Sequence, residues 1–146
     1  ISCGNGVFSF IAMGGALADD TDMFRSLDLS KNERSGDFDV FDKYDDSYFI
    51  NIVKKPDFKY SIGTDWKENL LKKADHLSYY EKLIVHDNNK ILPIDNESMD
   101  YIFSNSTYWV DNFEQHLLDL TRILKSGGHL VIQIKTLNII NTTSRV

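Results

Sequence analysis

The chain has 146 residues, 42% of them hydrophobic and 12% aromatic, which suits one compact domain with its own core. A formal charge of −6 speaks against a nucleic-acid-binding face: phosphate contacts need clustered Lys and Arg, and Lys54-Lys55 and Lys72-Lys73 read as isolated, solvated pairs. No apolar run reaches the roughly 18 residues of a membrane span, the first residues lack the layout of a signal peptide, and the single cysteine, Cys3, fits a reducing compartment. The expectation is a soluble, cytoplasmic protein. His76, His86, His116 and His129 fall at no metal-ligand spacing, so no metal is predicted.

In chain order, "ISCGNGVFSF" comes first, with Gly4 and Gly6 flanking Asn5 ahead of an apolar run. Such a turn lets the backbone approach a ligand closely and feeds a helix whose free N–H groups face a polar or anionic group. "VFSFIAMGGALA" reads as that helix, weakened or ended by Gly14-Gly15. From about Asp19 to Phe58 the composition shifts to Asp, Ser and Lys with interspersed aromatics, and this stretch reads as an insertion that packs on the domain. "YSIGTDW" is a short strand with a polar end, and "KENLLKKADHL" places Leu70, Leu71, Ala74 and Leu77 at helical spacing. "KLIVHDNN" and "MDYIFSNSTYWV" are further strands with polar ends. "NFEQHLLDLTRILK" puts Phe113, Leu117, Leu120, Ile123 and Leu124 on one helical face, and "SGGHLVIQI" breaks at Gly127-Gly128 and enters a strand. This alternation predicts an α/β domain with a mostly parallel sheet and helices on both faces, whose ligand lies beyond the carboxyl ends of the strands.

Taken together, the segments resemble the class I, Rossmann-like methyltransferases that use S-adenosylmethionine, especially those acting on small molecules and lipids. "ISCGNG" is similar to the family's first motif, with Ser2 where the motif has its first Gly and with the motif's acidic residue falling before Ile1. "GTDW" resembles the second-strand acid, "VHDNN" the third-strand Asp, "LPIDNESMDYIFSNSTYWV" the fourth-strand block, and "LTRILKSGGHLVIQI" the helix-turn-strand that follows it. The resemblance implies a doubly wound Rossmann-like core, truncated at both ends. "ISC" would be the end of a central strand, and "KTLNIINTTSRV" stands where two strands and a helix are expected.

The same resemblance implies roles for single residues. Gly4, Asn5 and Gly6 would lie against the methionine and ribose of S-adenosylmethionine. Asp65 would accept from the ribose hydroxyls, with Trp66, Ile62 and Ile91 as apolar walls, Asp87 would accept from the adenine amino group, and Asn88 would offer its backbone N–H to the ring. Ser104 and Asn105 would shape the methionine side and the acceptor entrance, with Tyr108 and Trp109 either lining the acceptor pocket or packing as helix core. Asp100 and Arg122 resemble structural positions, and Cys3 would pack behind the turn. A sulfonium-activated methyl group needs positioning and desolvation above all, so no catalytic residue is assigned. The partner would be a small-molecule or lipid-like acceptor.

Two other readings stay open on the residues alone. One is a methyltransferase-like module that binds without catalysis, motivated by Ser2. The other is an NAD-dependent oxidoreductase, because "GNGVFS" is one substitution from G-x-G-x-x-G/A and Asp28 lies at about the 20-residue distance that pattern expects. Asp65 is preferred over Asp28 as the ribose acid because "YSIGTDW" runs into an amphipathic helix, whereas Asp28 runs into "SKNERSGDFD", which has no apolar face.

Overall fold

A computed structural model describes residues 1–21, 44, 46–106 and 109–134. The described chain divides into two compact units, one of Cys3–His86 and one that joins Ile1–Ser2 to the chain from Asp87 onward.

In the unit Cys3–His86, helix α1 spans Val7–Ala12 and is shorter than its apolar run suggests. Gly14, in the left-handed region at φ 89°, ends it: Gly14 N–H bonds Ile11 O and Gly15 N–H bonds Phe10 O, the paired bonds of a Schellman stop. The chain then forms β1, Ala16–Leu17, antiparallel to β2, Ile52–Lys54. Strand β2 therefore lies within the stretch read as an insertion, whose residues 22–43 and 45 are outside the described residues. Strand β3, Tyr60–Asp65, helix α2, Glu68–Asp75, and strand β4, Tyr80–Val85, follow as the sequence predicts, with β3 and β4 parallel and Asp65 opposite Val85. Val7, Phe10, Leu77 and Tyr79 form the buried centre, and the Phe10 and Tyr79 rings meet edge to face at 5.5 Å.

One expected surface charge is not on the surface. Lys73 is 3% exposed on α2, with its ammonium 5.5 Å from the centre of the Tyr48 ring. The helix turns Leu71, Lys73 and Ala74 inward, and the lysine stem is long enough to fill apolar space while its charge meets an aromatic face. Lys72 and Lys54-Lys55 are exposed as expected.

The second unit contains β5, Met99–Ser104, α3, Phe113–Ile123, and β6, Leu124–Ile132, with β5 and β6 parallel and Ser104 opposite Ile132. Asn112 caps α3 by accepting from Gln115 N–H at 3.0 Å. Two details differ from the sequence reading. Strand β6 begins at Leu124, ahead of the glycines, which fall in an irregular stretch of the ladder. There Gly127 takes φ 80°, and a side chain on Gly128 would press on Leu124 and on the Asp100 carbonyl. The inner face of α3 is also more polar than expected: His116 and Asp119 are buried beside Leu120 and Ile123, while Phe113 is exposed. Asp119 has work there. Its carboxylate accepts from Leu92 N–H at 2.6 Å and from Arg122 Nε at 2.7 Å, while the guanidinium also donates to the carbonyls of Leu92 and Ile94 and to Asn96 Oδ1. The "LPIDN" segment is thereby clamped to the helix, which accords with a structural role for Arg122.

Candidate functional site

Asp65 ends β3 with 5% exposure, and both of its carboxylate oxygens are engaged by backbone. Gly4 N–H donates to Oδ2 at 2.9 Å and Lys67 N–H, at the start of α2, donates to Oδ1 at 3.0 Å. Cys3 N–H bonds the carbonyl of the preceding Thr64 at 2.9 Å. The glycine turn, the strand end and the helix start thus meet at one carboxylate. A carboxylate has about four acceptor positions, so two remain for a polyol such as a ribose.

The two glycines of the turn are there for different reasons. Gly4, at φ 58°, has nothing within 4 Å of where a Cβ would sit, so the space over it is open to a ligand. Gly6, at φ 77°, would put a Cβ 3.0 Å from both Leu77 and Tyr80, so its hydrogen lets the turn pack on the core. Asn5 serves the turn itself, because its Oδ1 accepts from Val7 N–H at 3.2 Å. Trp66 is 68% exposed, with the Lys67 ammonium 5.3 Å from its ring. Ile62 is half-buried in β3. Burial, reinforced by the Asp65 carboxylate, pushes the Cys3 thiol up to about 12, so Cys3 stays protonated and packs as expected.

The remaining sequence-predicted residues lie in the second unit. Asp87 is exposed and shapes a turn, its Oδ1 accepting from Asn89 N–H at 3.0 Å and its carbonyl from Lys90 N–H. Asn88 Nδ2 donates to Ser2 Oγ at 2.8 Å, and its buried Oδ1 has no hydrogen-bond partner among the described residues. That orphaned acceptor marks a place where a ligand donor fits. Ser2 itself is held at φ 53°, the left-handed region, at the place where the resembled motif has glycine. Ile1 runs beside the end of β5, its nitrogen donating to Phe103 O and its carbonyl accepting from Asn105 N–H. Residues 1–2 therefore connect the Asn88 turn with the Ser104-Asn105 strand end.

Ser104 is fully buried and Asn105 is half-buried. Ser104 Oγ lies 2.8 Å from Ser106 Oγ, which lies 2.9 Å from His116 Nε2. The sequence places Ser106 in the polar end of this strand and offers His116 as a surface or packing histidine, but gives neither a role in the site. A signal for His116 is present, because it falls four residues before Leu120 and seven before Ile123 on the same face of α3. Ile91 is exposed, Trp109 is 71% exposed and so forms no helix-packing core, and Tyr108 and Asp28 lie outside the described residues.

A family model described as a methyltransferase domain matches residues 47–132. The matched segment runs from ahead of β2 to the end of β6 and includes Asp65, Asp87, Asn88, Ser104 and Asn105. Comparison with curated proteins gives no match. The family implies a Rossmann-like fold, and its members typically use S-adenosylmethionine. The match spans more than half of the chain and contains both parallel strand-helix-strand units, and on that ground the chain belongs to the methyltransferase-domain family.

Proposed function

We propose that this chain binds S-adenosylmethionine with Gly4–Gly6 and Asp65 on the ribose and methionine, and with Asp87 and Asn88 on the adenine, for methyl transfer to a small-molecule or lipid-like acceptor. The observation that carries the reading is the buried Asp65 carboxylate, bonded to Gly4 N–H at 2.9 Å and with acceptor capacity left for two hydroxyls, next to open space beside the Gly4 Cα. The buried Asn88 Oδ1 adds a second unused acceptor. Bound S-adenosylmethionine would supply a methyl group already activated by its sulfonium. The chain's own part is then to bind, orient and exclude water, with Asn105 on the methionine side and Ser104, its hydroxyl buried against Ser106, shaping the strand end behind it. Trp66 would cover the nucleoside as an apolar wall. The net charge of −6 favours a neutral or cationic acceptor over nucleic acid. Residues 19–58 are read as an insertion in a single cytoplasmic domain.

Calorimetric titration with S-adenosylmethionine, S-adenosylhomocysteine and NADH tests this directly. The expected result is binding of the two sulfur nucleosides, with Asp65→Ala losing about 2 kcal/mol, roughly thirtyfold. Binding to NADH alone would overturn it in favour of an oxidoreductase.

A further inference from the structure

At the carboxyl end of β5 stand two polar residues, Ser106 and His116 of α3, to which the cofactor reading gives no role. Ser104, Ser106 and His116 form a continuous chain of hydrogen bonds, 2.8 Å and then 2.9 Å, and all three are buried, His116 to 4% exposure. Two hydroxyls and an imidazole are costly to bury, and apolar side chains would fill the same space without that cost. The chain also has a direction. It starts on α3 and ends at the residue where β5 leaves its ladder, since Gln133 N–H bonds Ser104 O at 2.9 Å and Asn105 N–H bonds Ile1 O at 3.2 Å. Extended backbone sends alternate side chains to opposite sides. The bond between Ser104 and Ser106 fixes both on one side, which leaves the half-buried Asn105 on the other.

We infer that Ser106 and His116 are positioning residues: through Ser104 they hold the exit of β5 so that Asn105 is presented in one orientation to the methionine side of the bound cofactor. The inference rests on the cofactor reading above. Removing either link leaves residue 106 held by its carbonyl, which accepts from Trp109 N–H at 2.9 Å, and loosens the strand exit at Asn105.

Three variants test it: Ser106→Ala, His116→Leu, and His116→Gln, whose amide can again bond the Ser106 hydroxyl. Affinity for S-adenosylhomocysteine is measured by calorimetry, and amide hydrogen exchange is measured at Asn105 and Gln133. Ser106→Ala and His116→Leu should weaken binding about tenfold, with His116→Gln within about threefold of the parent. Exchange at Asn105 should quicken in the first two variants while the β3 and β4 amides keep their protection. If His116→Leu fails to fold, Ser106→Ala, which deletes a single oxygen, carries the test. Parental affinity together with parental protection of Asn105 in Ser106→Ala overturns the inference. A parent protein that does not bind S-adenosylhomocysteine overturns the cofactor reading instead, and exchange at Asn105 then decides the positioning role alone.

Discussion

Helix α2 turns Leu71 and Ala74 into the unit Cys3–His86, whereas α3 turns His116 and Asp119 inward along with Leu120 and Ile123. Each helix connects two parallel strands, but the two units use their buried carboxylates in opposite ways. Asp119 is neutralised by the Arg122 guanidinium and spends its second oxygen on Leu92 N–H, which makes it a structural staple. Asp65 is held by two backbone amides and, among the described residues, by no cation. The lesson is that burial and hydrogen bonding alone do not mark a functional acid. With two donors on each carboxylate, what separates the two is whether a cation already meets the negative charge, as Arg122 does at Asp119.

That distinction is broken most directly at Asp119. Replacing it by Ala leaves Arg122, itself 29% exposed, without its carboxylate and the buried Leu92 N–H without its acceptor, and the loss of two charge-assisted hydrogen bonds costs about 3 kcal/mol. Urea denaturation should show that loss for Asp119→Ala, with the parallel effect that "LPIDN" becomes susceptible to proteolysis. A variant with parental stability would mean that the clamp is not what holds the segment.

The glycine pair gives the next largest effect. Gly6→Ala adds a Cβ at φ 77° against Leu77 and Tyr80, so a left-handed cost of roughly 1–2 kcal/mol is joined by overpacking of at least about 1 kcal/mol. Gly4→Ala carries only the backbone cost, because the space beside it is open. Thermal melts should therefore rank Gly6→Ala well below Gly4→Ala. S-adenosylhomocysteine titration should rank the two in reverse, since the Gly4 methyl group would occupy the space assigned to the ligand. The same order in both measurements would assign both glycines to packing alone.

These contrasts also explain what the sequence could disclose. Strand β3, helix α2 and strand β4 were legible because their periodicity is apolar and their punctuation conventional: "YSIGTD" stops at a polar end, and Leu71 and Ala74 repeat with helical spacing. The strand-end placement of Asp65 and of Ser104 followed from the same pattern. The inner face of α3 was only half legible, since a buried His or Asp looks like a surface residue until its partner is known, and those partners, Ser106 and Leu92 N–H, are 10 and 27 residues away. Lys73 was misread for a related reason: a charge next to another lysine suggests solvent, and only the placement of Tyr48 shows the aromatic face that takes it in. The different duties of Gly4 and Gly6 depend on what stands opposite each Cα, which no spacing rule encodes.

A smaller effect sharpens the comparison through pH. The Cys3 thiol, raised by burial from 9.0 to about 12, keeps its proton in the folded chain while the unfolded chain loses it above pH 9. The unfolded state then binds fewer protons, so stability falls as pH rises, by about 1.4 kcal/mol per unit at most. Between pH 9 and 10, ahead of the ordinary range of tyrosine, the parent should lose roughly 1 kcal/mol that Cys3→Ala does not. Equal slopes for the two proteins would show that the thiol is in contact with water.

The smallest effect is expected at Ser2, and it bears on how each unit tolerates left-handed backbone. Gly4 and Gly6 adopt positive φ at little steric cost, whereas Ser2, at φ 53°, carries a Cβ into the same region. A left-handed L-residue costs roughly 1–2 kcal/mol. Against this stands the 2.8 Å bond from Asn88 Nδ2 to Ser2 Oγ, and a hydrogen bond of this kind contributes about 0.5–1.5 kcal/mol. The two nearly cancel, which gives a physical account of how a serine is tolerated in left-handed backbone at this position. Ser2→Gly relieves the strain and loses the bond, so its stability should stay within about 0.5 kcal/mol of the parent. Ser2→Ala keeps the strain and loses the bond, and should fall about 1 kcal/mol below Ser2→Gly. Chemical denaturation of the three proteins under one buffer resolves a gap of that size. If alanine matches the parent, Asn88 does not compensate the strain, and its carboxamide is free to turn both of its polar atoms to the ligand.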